Sequence, residues 1–95
     1  MATINVKSET DNSSGWSFEV EIIDDTGALH DYDVTLSWRD YDHWCRGQVQ
    51  PSRVVEAAFE FLLQRESASA IMRKFDCAVI RRYFSDVDQE LPRLL

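Results

Sequence analysis

Glycine is scarce in this chain, with three among 95 residues, at positions 15, 27 and 47. Scattered so widely, they form no glycine-rich loop of the kind whose backbone N–H groups cradle a phosphate. Two cysteines, Cys45 and Cys77, allow at most one disulfide, too few for a small secreted scaffold held together by bridges. No apolar stretch approaches the roughly 20 residues of a membrane-spanning helix. The first five residues, Met-Ala-Thr-Ile-Asn, lack the basic start and apolar run of a signal peptide. The expectation is a cytoplasmic protein with reduced thiols and no membrane partner. Positive charge is nearly missing from the first half. Residues 1–50 hold three Lys/Arg against ten Asp/Glu, while residues 51–95 hold seven of each, so the N-terminal half carries the whole net charge of −7. Such a field repels phosphates and argues against non-specific nucleic-acid binding.

What is present suits one α+β domain over residues 1–95. The chain is too short for two cores, and 44% hydrophobic residues with eleven aromatics suffice for one. Three segments alternate with period two: Ala2-Ile4-Val6, Trp16-Phe18-Val20-Ile22 and Tyr32-Val34-Leu36-Trp38. Successive strand side chains point to opposite faces, so each segment offers one apolar and one polar face. These read as a three-stranded antiparallel meander over residues 1–38, with a mobile polar loop from Ser8 to Gly15 and a turn at Asp25-Thr26-Gly27. An aromatic loop follows over 39–50.

From Pro51 the spacing becomes helical, with Ser52 or Pro51 at the start and an apolar stripe through Val54, Val55, Ala58, Phe59, Leu62 and Leu63. Ser67 and Asp76 are expected to cap two shorter helices, one through Ile71, Met72 and Phe75 and one through Val79, Ile80, Tyr83 and Phe84. Ser85 opens a final turn. One long and two or three short helices would then cover one sheet face.

Four constellations invite a functional reading. A hairpin at Gly27 would bring Glu19 and Glu21 beside Asp31 and Asp33 on the solvent side. Like charges opposite one another destabilise a sheet, so a face that tolerates them is a candidate for a basic partner or a hard cation. The structural alternative is a solvated surface whose charge deters aggregation. The second constellation is the run Trp38, Arg39, Tyr41, His43, Trp44 and Arg46, rich in the residue types that dominate interface hot spots. Its alternative is that Trp38 and Trp44 fold back to plug the core. The third is Arg73, Lys74, Arg81 and Arg82 around the Asp76-Cys77-Ala78 turn, suggesting a nucleic-acid-binding helix-turn-helix. The fourth, His43-x-Cys45 with His30 and Cys77 distant, lacks the two close pairs of a structural zinc site, so no metal and no cofactor are expected. No catalytic constellation stands out. The leading expectation is a non-enzymatic protein-interaction or regulatory module, monomeric or a weak homodimer.

Two resemblances bear on these readings. The helix Val54–Arg65 followed by Tyr83-Phe84-Ser85-Asp86 resembles the N-terminal unit of tetracycline-repressor-type regulators. The chain departs from that family in an interval from Ile71 to Phe84 about two residues short, a turn without glycine and no C-terminal ligand domain. Phe61-Leu62-Leu63-Gln64-Arg65-Glu66 followed by Arg73-Lys74-Phe75-Asp76 and Arg82-Tyr83-Phe84 is similar to small bacterial α+β proteins. That resemblance covers about the last two-thirds of the chain and implies a bacterial source and no particular activity.

Overall fold

The computed structural model describes residues 2–95. Strands β1 (Thr3–Asn12), β2 (Gly15–Ile23) and β3 (Leu29–Ser37) form the expected antiparallel meander. A short strand β4 (Lys74–Asp76) joins the outer edge of β3 in parallel, giving a mixed four-stranded sheet in the order β1-β2-β3-β4. Helices α1 (Trp38–Cys45), α2 (Pro51–Leu63), α3 (Ile80–Tyr83) and α4 (Val87–Glu90) follow, with 3-10 turns at Ala68–Ala70, Cys77–Val79 and Leu91–Leu94. None of the helices among the described residues is long and apolar enough to cross a membrane.

Alternation in β2 and β3 determines the layering. Trp16, Phe18, Val20, Ile22, Val34 and Leu36 are all buried, as are Phe59 and Leu62 of α2. Each such side chain contributes on the order of 1.5–3 kcal/mol when fully removed from water. Phe59 sits at the centre, its ring 5.1 Å from Tyr32 and 5.8 Å from Phe75. Tyr32 takes its hydroxyl into this core and donates it to the Ala68 carbonyl at 2.6 Å, so its polar tip is satisfied.

Four expectations are corrected. Residues 8–15 are no mobile loop, because β1 runs to Asn12 and turns through Ser13-Ser14 into β2. A bulge between Val6 and Ser8 shifts the register by one residue, pairing Glu9 with Phe18 and Asp11 with Trp16. The aromatic segment is helical over Trp38–Cys45, with Ser37 as its N-cap accepting the Asp40 N–H at 3.1 Å. Ser52 is not a cap, since Gln50 occupies that position and Pro51 the first helical one. The helix expected through Ile71, Met72 and Phe75 is a bent, non-helical stretch leading into β4, because pairing with β3 outweighs local preference over so short a segment. Asp76 does cap, its carboxylate accepting the Ala78 N–H at 2.9 Å.

Candidate functional site

The helices cover one face of the sheet, and the other is polar. Register places Glu19 opposite Asp33 and Glu21 opposite Asp31, so four carboxylates form a two-by-two block on that face. Glu19, Asp31 and Asp33 are exposed and Glu21 is half-buried. Among the described residues, compensation comes from the margins: Lys7 approaches Asp31 at 4.0 Å, and Lys74 on β4 stands in register with Asp33. An open depression of about 470 Å³ lies beside the block, lined by Ser8, Thr10, Glu19, Asp33, Thr35, Lys74 and Asp76 among others. One wall is fixed where the Thr35 hydroxyl donates to Asp76 at 2.5 Å.

The aromatic segment divides along the two sides of α1. Trp38 is 58% exposed and leans on Trp16, ring centroids 4.7 Å apart, while Tyr41 meets the same Trp16 edge-on at 5.0 Å. Tyr41 donates its hydroxyl to the Val49 carbonyl. Arg39 and Arg46 are exposed and make no ion pair among the described residues. Arg46 ends the helix at φ +53°, a left-handed cap that Gly47 continues at φ +76°. Trp44, by contrast, is 3% exposed and donates its indole N–H to Asp88 at 2.8 Å. Trp44 is therefore a core residue with a satisfied N–H, and only Trp38 presents an open ring from this segment.

Trp44 belongs to a charged network that the sequence reading missed. Arg81 donates through Nε to both oxygens of Asp88, at 2.9 and 2.8 Å, and through a terminal nitrogen to Asp40 at 2.7 Å. Its guanidinium also lies 5.2 Å from the Trp44 ring. Asp40 is 4% exposed, the one buried charged residue among those described. These bonds hold the Arg81 pKa above its ordinary value, Asp88 contributing most and Asp40 next. Arg81 in turn pulls Asp88 below the usual carboxylate range, helped by the Trp44 N–H. His43 stands 3.6 Å from Asp88 at the wet edge of this network. The signal that could have found Asp40 is its place three residues after the Ser37 cap.

The basic set does not form a helical surface. Arg73 lies at a bend before β4, Lys74 on β4, Arg81 is bound between two carboxylates, and Arg82 is exposed on α3. The helix-turn-helix geometry expected for these residues is not present in the fold. Both cysteines are free and buried. Burial pushes the Cys77 thiol well above its ordinary range, which removes it as a nucleophile. His43 is exposed while Cys45 is buried, and no group of three or more His, Cys, Asp or Glu placed to hold a metal occurs among the described residues. No protein-family model, curated protein or solved structure matches this chain.

Proposed function

We propose that this protein is a non-enzymatic interaction module that holds a basic protein partner on its open sheet face. The observation that carries the reading is the facing of Glu19 with Asp33 and Glu21 with Asp31, four carboxylates that stand opposite one another across the ladder. Such a ladder costs stability, and a bound cationic surface relieves that cost. Trp38, exposed at the start of α1 beside Arg39, supplies a second, apolar anchor of the type that dominates binding energy.

Nucleic-acid binding through Arg73, Lys74, Arg81 and Arg82 has less in its favour, since Arg81 is already occupied by Asp40 and Asp88. Of the four, Arg73, Lys74 and Arg82 make no ion pair among the described residues.

Affinity capture from source cells tests the proposal, comparing the wild-type chain with Glu19→Lys/Asp33→Lys and with Trp38→Ala. Basic proteins retained by the wild type and lost from the charge-reversed variant are the expected result. A captured set unchanged by all three substitutions rejects the reading.

A further inference from the structure

Met72 and Tyr83 are 43% and 66% exposed, two large apolar side chains left in water around one groove. The groove has a volume of about 270 Å³ and opens to solvent. Buried Ile71, Phe75 and Ile80 line it, with Leu62 of α2 and half-buried Phe84. Hydrogen-bonded elements set its walls. The Ala70 N–H donates to the Ser67 carbonyl at 3.0 Å and the Phe84 N–H to the Ile80 carbonyl at 2.8 Å, while β4 holds Phe75 in the sheet. Glu66 is the one charged residue among those described that line the groove. It is half-buried just beyond α2, and its carboxylate has no hydrogen bond or ion pair among the described residues. Arg65, its neighbour in the chain, is engaged elsewhere. It donates to Asp86 at 2.7 Å, and its guanidinium lies 3.6 Å over the Phe61 ring.

We propose that this groove binds a compact amphiphilic cation, an alkyl- or arylammonium compound, whose apolar part covers Ile71, Phe75 and Ile80 and whose ammonium meets Glu66. Charge complementarity sets the class. An apolar hollow favours any ligand that takes its surface out of water. The lone carboxylate then discriminates by charge: it attracts an ammonium, gives a neutral alcohol no ion pair and repels another carboxylate. Apolar walls lower the local dielectric, so this attraction exceeds that of the same pair on open surface. Phe75, Tyr83 and Phe84 add aromatic rings, which also favour a cation. A hollow of this size lies just below the range of drug-sized pockets, so it suits one compact ligand and not a run of peptide side chains. None of Glu19, Glu21, Asp31 and Asp33 lines the groove, so the inference stands apart from the basic-partner reading.

Methyl NMR titration of the wild-type chain is the test, with three probes of one chain length: n-hexylammonium, hexanol and hexanoate. Hexylammonium is expected to shift the Leu62, Ile71, Met72 and Ile80 methyl signals and to bind about fivefold tighter than hexanol, the gain of a partly solvated ion pair. Hexanoate is expected to bind more weakly than either. This ranking tests the charge assignment without any substitution. Glu66→Gln should bring hexylammonium down to the affinity of hexanol and leave hexanol unchanged, which also shows that the groove is still folded. Methyl signals unmoved by hexylammonium, a wild type that binds hexanol as tightly, or a preference that survives Glu66→Gln overturns the proposal. Signals that move with protein concentration before any probe is added would assign the groove to a second copy. Tighter binding of a capped Phe-Lys-Phe peptide would assign it to a protein segment, and either result rejects the small cation.

Discussion

Arg81 donates to the Asp40 carboxylate at 2.7 Å across a sequence separation of 41 residues, joining the start of α1 to α3. The same guanidinium reaches Asp88 just after the start of α4, so one side chain ties together three helices. Removing one member of a buried ion pair leaves the other charged and desolvated, which costs more than the pair itself contributes.

Arg81→Met is therefore expected to destabilise the fold by about 2–4 kcal/mol, below the range of a fully buried pair because the guanidinium is partly solvated. Asp40→Asn added to it recovers part of the loss, since no buried charge then stands alone. Arg82→Ala, one residue away but exposed, changes stability by less than about 0.5 kcal/mol. Urea midpoints of the three variants measure this, and equal effects of Arg81→Met and Arg82→Ala would contradict the network.

Glu19→Lys is expected to stabilise the protein by about 0.2–1 kcal/mol, because it replaces repulsion across the β2–β3 ladder with attraction to Asp33. A substitution that strengthens the fold and abolishes partner capture would separate function from structure at this position. A destabilised Glu19→Lys variant would show that the facing carboxylates are already neutralised.

The β2–β3 turn gives a pH dependence. Asp24 accepts the Thr26 hydroxyl at 2.6 Å, the His30 ring N–H at 2.8 Å, and the Thr26 and Ala28 N–H groups at 2.9 and 3.0 Å. The Thr26 hydroxyl most of all, then His30, holds its carboxyl far below the ordinary value of 3.8. A carboxylate with a depressed folded pKa stabilises fully above its unfolded pKa and loses that contribution as pH falls toward the folded one. The thermal midpoint of the wild type should thus exceed that of Asp24→Asn near neutrality, with the gap narrowing below about pH 4. A gap that widens on acidification would refute the assignment.

Gly15 is required by close approach. A Cβ built there would overlap the Leu36 carbonyl oxygen and crowd the Ser37 Cα, both backbone atoms that cannot rotate away. Gly15→Ala is expected to cost about 3 kcal/mol through displacement of the β2–β3 ladder. Thermal melts that place it within error of the wild type would show that the ladder yields freely.

Where local pattern and long-range packing agree, the sequence alone sufficed. Period-two alternation in residues 16–22 and 32–36 set the two central strands, their buried faces and hence the shared solvent side of Glu19 and Asp33. The stripe from Val54 to Leu62 likewise determined α2 and the face it buries. Elsewhere the local signal was broken or too short. Beyond Val6 the rest of β1, Lys7 to Asn12, is polar throughout, so it shows no alternation to read. Three residues of β4 carry no periodicity, and their strand exists only because β3 offers an unpaired edge. The Ser37 cap was written in the sequence, yet the alternation of β3 runs into Trp38 and obscured the change to helix. Arg81 and Arg82 are indistinguishable as neighbours in a chain. Only the packing of α1 against α3 and α4 decided which guanidinium meets buried carboxylates and which stays in water, because desolvation depends on neighbours that sequence order does not reveal.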